Sequence, residues 1–290
     1  MAEAPSIDDP LAWCRDRLLV PGHPLTVTLP YADPDRREAL LALRCAISEI
    51  AAIPGETSDA SVAGRKLDWW RDALQRRLPH PAIAALERSG VLGTLAAADF
   101  AALIDAVGRE IEPPRFETIA EFEHHARAVA GSAARLEAAV VDDGAPDAVV
   151  DALERLAGAG YRVRVARDLV HDARQERWLI PLELQAEFQL TRRQVAEVEA
   201  RHRIAALVRH VVVGAVESAR SARSDLPAAE AWRHRHQLLS AHLDRRLAAR
   251  LLRRPMRIAR ERVTPVGALD PLSTWRRARK LRREVGADAD

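Results

Sequence analysis

Apolar residues spaced at threes and fours constrain this chain more than any other feature. Leu40, Leu43, Ile47 and Ile50 step by three, four and three residues, and Leu67, Trp70, Leu74 and Leu78 by three, four and four. Such spacing puts each set on one face of an α-helix. Aromatic residues are only 4% of the chain, and β-branched residues at period two are scarce, so strands find little support. A helix is predicted from about residue 34, where Pro34 follows Asp33 as a cap, to Ile53, with Pro54-Gly55 as its stop. The next starts at Ser58 or Asp59 and ends before Pro79. Further helices are predicted over residues 97–111, 116–141, 146–174, 191–221, 227–252 and 271–283. Their breaks are Pro113-Pro114, Asp142 to Pro146, the Pro181 region and Ser224 to Pro227. No internal repeat or composition break divides the chain. The expectation is all-α: a lead-in helix within residues 1–24, then a single helical domain over 25–290.

With 290 residues, 48% hydrophobic and 30% charged, the chain is long and apolar enough to bury a core. Thirteen Gly and 17 Pro exclude a collagen-like or linker protein. Cys14 and Cys45 are too few for a disulfide framework or a cysteine zinc site, which points to a reducing, cytoplasmic setting. Met1 to Pro10 has no basic region followed by an apolar stretch, so no secretory leader is expected. The most apolar stretch, Ile204 to Val216, carries Arg209 and His210, so any membrane contact should be peripheral.

The formal charge of +2 hides an asymmetry. Residues 245–283 contain fourteen Arg or Lys against Glu261 and Asp270, a local +12 that leaves about −10 for the remainder. This basic tail reads first as a solvated last helix whose arginines close against acidic helices. An anionic membrane surface is the next reading. Forty-two of the 44 basic residues are Arg, a compositional habit rather than a set of phosphate contacts, and no nucleic-acid motif accompanies them. Nucleic acid is therefore not an expected partner. No P-loop, G-x-G-x-x-G, G-x-S-x-G or H-E-x-x-H pattern occurs in a suitable context, which leaves ATP-driven and triad chemistry unsupported.

The stretch from Gly158 to Pro181 carries the sharpest chemistry. Asp168 and Asp172 lie four apart on a predicted helix, which places their Cβ atoms about 5–6 Å apart on one face. Two such carboxylates can share a divalent cation, and magnesium is typically held by one or two carboxylates together with substrate phosphates. The plainer reading pairs Asp168 with Arg164 and Asp172 with Arg174 or Arg177, and by spacing alone it is favoured.

The surrounding string is more specific. Arg167, Asp168, Asp172, Arg177, Trp178 and Pro181 follow an Arg-Asp-x-x-x-Asp…Arg-aromatic-x-x-Pro order. This resembles the second aspartate-rich motif of the squalene and phytoene synthase family, with Trp178 where the family usually has Tyr. Leu29 to Glu49 resembles that family's early arginine-containing helix. Lys66 to Asp72 resembles its Leu-x-Trp-Trp-Arg segment, and Val129-Ala-Gly-Ser132 its Val-Ala-Gly-Ser stretch. The resemblance covers roughly residues 25–280, in order. It implies the isoprenoid synthase fold, a helical bundle around a central cavity with Asp168 and Asp172 toward its mouth. It further implies magnesium (Mg2+) at Asp168 and Asp172, and a prenyl diphosphate or other isoprenoid lipid held by these residues with Arg167 and Arg177.

The same comparison exposes a gap. The family's first aspartate-rich motif aligns on Ser48 to Gly55, where Ser48 replaces an Arg and Ala51 and Ala52 replace the leading aspartates. Glu49 is offset by two or three residues, about 200–300° around the axis, and points elsewhere. Glu56 with Asp59, or Asp68 with Asp72, are the conceivable substitutes. His125, at a usual Tyr position, reads as structural rather than as a general base. Loss of half the metal ligands implies impaired head-to-head condensation. A degenerate branch of the family, the phytoene-synthase-like complex I assembly factor, resembles this pattern at Ala46 to Ile50 and Gly64 to Arg71. The alternatives are thus a non-catalytic assembly or scaffold factor with a protein partner in a respiratory or membrane complex, and an active synthase with relocated metal ligands.

Overall fold

The computed structural model describes residues 9–57, 59–112 and 115–287. The leader expectation at Met1–Asp8, a helix start at Ser58 and the Pro113-Pro114 break lie outside them. Among the described residues there are helices and no strand. In chain order the first half contains α1 (Pro10–Leu18), α2 (Leu25–Thr28), α3 (Arg37–Glu56), α4 (Ala60–Arg76), α5 (Pro81–Arg88), α6 (Val91–Thr94), α7 (Ala101–Gly108), α8 (Ile119–Ala126) and α9 (Ser132–Val141). The second half contains α10 (Asp147–Arg174), α11 (Leu182–Glu187), α12 (Arg201–Ser224), α13 (Ala228–Arg233), α14 (Arg235–Arg253) and α15 (Asp270–Ala287).

The periodic residues do what their spacing requires. Leu40, Leu43, Ile47 and Ile50 of α3 are buried, as are Leu67, Trp70 and Leu74 of α4. They form one apolar cluster with α1, α5 and α7. A second cluster joins α10 to α12 and α14 through residues such as Val163, Leu169, Leu207, Val211 and Leu247. A third links the start of α10 to α14 and α15 through Leu153, Leu239 and Leu281. The 28-residue α10 is therefore the wall shared by the second and third clusters, with its Tyr161 packed against the first, and its charged residues Arg162, Arg167 and Asp168 are carried into the interior with its apolar ones.

Several boundaries differ from the sequence expectation. α3 continues through Pro54 to Glu56; in the last turn the absent proline N–H forfeits a single helical bond, too little to stop the helix there. The expected 116–141 helix is interrupted by a π-helical turn, Arg127–Gly131. Gly158 of α10 lies against this turn, where an added Cβ would sit 3.2 Å from the Arg127 backbone. That close approach fixes the Val-Ala-Gly-Ser stretch on α10. The expected 227–252 helix is broken at His234 into α13 and α14. Helix α5, begun by Pro81 with His80 accepting from the Ala82 N–H, fills part of the stretch between Pro79 and residue 97 to which the sequence reading assigns no helix.

Asp59 caps α4, its Oδ1 accepting from the Ser61 and Val62 N–H groups at 2.8 and 3.1 Å. Asp59→Ala is expected to cost about 1 kcal/mol, read as a small shift in the urea midpoint with unchanged slope.

Candidate functional site

α10 brings Asp168 and Asp172 to one face near its C-terminal end. The chain then turns at Glu176, which has a positive φ of 60°, and the Arg177 N–H donates to the Asp172 carbonyl at 2.9 Å. This turn folds Arg177 back over the end of the helix. Leu179 and Ile180 are buried and anchor it. The indole N–H of Trp178 is buried without an acceptor among the described residues, leaving a donor beside the turn.

The two aspartates have different surroundings. Asp168 accepts from both neighbouring guanidinium groups: from Arg167 Nε at 2.8 Å and Nη2, and from Arg262 Nε at 3.0 Å and Nη2 at 3.2 Å. Burial alone would push its carboxyl up, but the Arg167 and Arg262 hydrogen bonds outweigh this and hold it below the usual range. Asp172 has no side-chain hydrogen bond or ion pair among the described residues. Burial first, and then the charge of Asp168, push its carboxyl up to about 6. The plainer sequence reading is thus corrected in detail. Arg164 bonds Asp244 of α14 at 2.7 Å instead of Asp168, and Arg177 bonds Glu110 instead of Asp172. Tertiary partners that are themselves poorly hydrated win over the nearest acid on the same helix. Gly160 permits the first of these contacts, since a Cβ there would collide with the Asp244 carboxylate.

Glu110, just past α7, is the hub on the other side. Its side chain is buried and accepts from Arg177 Nη2 at 2.9 Å and from the Tyr161 hydroxyl, and His125 Nε2 lies 3.0 Å from its Oε1. Burial opposes its ionisation, and the His125 and Tyr161 hydrogen bonds with the Arg177 charge more than compensate. His125 is therefore a buried hydrogen-bond partner, in line with its structural reading. Glu110 and Arg262 belong to none of the sequence motifs. Glu110 lies 67 residues from Arg177 and 15 from His125, and Arg262 lies 94 from Asp168, so no helical spacing announces them.

Arg177 also reaches the end of α3, its Nη1 3.7 Å from where a Cβ on Gly55 would stand. One helical turn before Gly55 stand Ala51 and Ala52. Glu49 is turned away and bonded to Arg17 of α1 at 2.7 Å. Glu56 is exposed, Asp59 is the α4 cap, and Asp68 and Asp72 pair at the surface with Arg71 and Arg76 at 2.8 and 3.0 Å. Among the described residues no group of three or more His, Cys, Asp or Glu side chains is placed to hold a metal ion. A magnesium cradle built only of protein carboxylates therefore does not fit. Of the two motif aspartates, Asp172 is the one without a side-chain partner among the described residues, and it is the carboxylate that could hold a cation if a diphosphate supplied the remaining ligands.

A cleft of about 550 Å³ opens between α8, α10 and α12, lined in part by Glu123, Arg127, Arg155, Arg162 and Glu217. Neither aspartate lines it. Its guanidinium groups are already engaged: Arg127 with Asp151 and Glu154, Arg155 with Asp151 and Asp225, and Arg162 with Glu123.

Comparison with known proteins gives a coherent picture. The family model for squalene/phytoene synthase matches residues 22–269. Among solved structures, a dehydrosqualene synthase in complex with ligand aligns with a TM-score of 0.71 at 14% identity, covering 96% of this chain and 97% of that one. Squalene synthase HpnC from Alicyclobacillus acidocaldarius aligns with a TM-score of 0.66 at 18% identity, covering 84% of this chain and 93% of that one. No curated protein sequence matches. The all-helical architecture is that of the two synthases.

Proposed function

Because the chain belongs to the squalene/phytoene synthase family, we propose that it binds a prenyl diphosphate at the Asp172–Arg177 edge of its bundle and is impaired in head-to-head condensation. The observation that carries this reading is the contrast at the site. Among the described residues Asp168 is closed by Arg167 and Arg262, no acid cluster faces it, and of the two aspartates Asp172 is the one left without a partner. Prenyl condensation in the family is typically magnesium-dependent. Magnesium, when bound, neutralises diphosphate charge and stabilises its departure. Asp172 would hold that ion with the phosphates, Arg177 and Arg262 would offer guanidinium donors to phosphate oxygens, and Trp178 would offer its indole N–H. One carboxylate is a weak substitute for two acidic walls, and every 1.4 kcal/mol of transition-state stabilisation forgone is about tenfold in rate.

Incubation of the protein with magnesium and farnesyl or geranylgeranyl diphosphate is expected to give no C30 or C40 hydrocarbon. Calorimetry is expected to detect binding of the same diphosphate, weakened at least tenfold by Asp172→Ala. Formation of a hydrocarbon that is lost on Asp168→Ala would overturn the proposal in favour of an active synthase with relocated ligands. The engagement of Asp168, Glu110 and Arg177 in internal ion pairs favours a second reading, a non-catalytic assembly or scaffold factor for a respiratory or membrane complex. That reading requires no diphosphate binding and recovery of such a partner by pull-down. A cytoplasmic setting is proposed with either, supported by the free buried thiols of Cys14 and Cys45.

A further inference from the structure

No helix among the described residues is long and apolar enough to cross a membrane, yet one helix face is left open in a distinctive way. α15 packs inward through Thr274, Ala278 and Leu281, all buried. Its two described acids also turn inward. Asp270 is fully buried, bonded by Arg246 and Arg250 of α14 at 2.8 and 2.7 Å, and Glu284 is bonded by Arg223 of α12 at 2.8 Å. These contacts are the closed half of the basic tail. The outward face is different. Leu272 and Trp275 are 46% and 44% exposed, and Leu269, just before the helix, is 69% exposed. Arg276, Arg279 and Arg283 continue the same stripe at helical spacing, all exposed, with the Arg279 guanidinium 4.9 Å from the Trp275 ring centroid. Three of the eight exposed large apolar side chains of the described chain thus fall within seven residues, beside three arginines that pair with no acid among the described residues, where Glu284 instead pairs with Arg223, Arg277 and Lys280.

We infer that this face of α15 docks on an anionic phospholipid surface. Leu269, Leu272 and Trp275 would enter the headgroup boundary, and Arg276, Arg279 and Arg283 would meet lipid phosphates. An apolar edge next to uncompensated positive charge matches an interface that offers a hydrocarbon phase beneath negative groups. Trp is suited to that boundary because its ring is apolar and its N–H polar. A second copy of the chain would bring the same positive stripe against itself. A nucleic acid would leave the apolar trio in water.

The test uses the full chain and extruded vesicles of phosphatidylcholine, with or without phosphatidylglycerol, scored by co-sedimentation. Binding is expected only to the phosphatidylglycerol vesicles at low salt, with at least a tenfold loss in 0.5 M NaCl. The double substitution L272S/W275S is expected to lower partitioning at least tenfold, and R279Q/R283Q about 30-fold. All four positions are exposed, so circular dichroism melts should match the parent chain. Failure to bind anionic vesicles would overturn the inference. So would binding that survives both double substitutions, or retention on RNA at the same salt without vesicle binding.

Discussion

Replacement of Glu110 by alanine is expected to destabilise the protein by about 3–5 kcal/mol, the range for removing one partner of a buried ion pair. A melting temperature lower by roughly 6–12 °C would follow in a chain of this size. The magnitude comes from what the substitution strands. Arg177, Tyr161 and His125 all direct polar atoms at this one carboxylate, and truncation leaves them unpaired in the interior. Glu110→Gln keeps an acceptor for Tyr161 but removes the charge opposite Arg177, so about half the loss is expected. Pairing Glu110→Leu with Arg177→Met should recover much of the stability, since no buried charge then stands alone. The pH dependence follows. Glu110 and Glu137 both have lowered carboxyl pKa values; that of Glu137 is about 2, where burial is opposed by the Arg44 charge and the His236 hydrogen bond. A depressed carboxyl contributes stability above its unfolded pKa that is lost as pH falls through the folded one. Acid unfolding should therefore set in between about pH 4.5 and pH 2, and the Glu110→Ala protein should lose less over that window than the parent. A melting temperature within about 1 °C of the parent's at pH 7 would refute the hub role of Glu110.

The parts of this molecule that can be read from sequence are those set by short-range geometry. The spacing of Leu40 to Ile50 and Leu67 to Leu74 gives the buried faces of α3 and α4 directly, because the period of an α-helix is local. The four-residue step from Asp168 to Asp172 likewise places both on one face. What spacing cannot give is the choice of partner. Arg164 is four residues from Asp168, but it crosses to Asp244, 80 residues on, while Arg262 arrives from beyond α14 to close Asp168. Electrostatic partners in a bundle are fixed by which helix ends converge, and that is a property of the packing. The interruption at Arg127–Gly131 has the same origin. Its sequence is helical throughout, and the wider turn accompanies close packing of Gly158 on the Arg127 backbone. α5 is a different case: Pro81 after His80 is a start signal present in the sequence, obscured by Pro79 two residues earlier.

The two aspartates of the α10 motif are expected to respond to neutralisation with opposite signs. Asp168→Asn leaves Arg167, itself buried, and Arg262 without their anion. A loss of about 2–3 kcal/mol is expected, below the full buried-pair value because Arg262 is largely solvated. Asp172→Asn removes a carboxylate that burial and Asp168 penalise. A carboxyl raised from 3.8 to about 6 makes the folded state bind more protons than the unfolded state between those pH values, so stability falls as pH rises through that window and stays reduced above it. Two pK units correspond to about 3 kcal/mol of linkage, and screening at a partly solvated side chain brings the expected gain for Asp172→Asn to about 1–2 kcal/mol at pH 7.5. At pH 4 most of the gain should be gone, because the folded parent's carboxyl is then protonated. Urea titrations at the two pH values decide the matter. A gain equal at both would mean that the side-chain replacement, not the charge, is responsible; a loss at pH 7.5 would mean that Asp172 has a stabilising partner. Magnesium with a prenyl diphosphate should narrow the difference between parent and Asp172→Asn at pH 7.5, since a cation at that carboxylate removes the penalty that neutralisation removes.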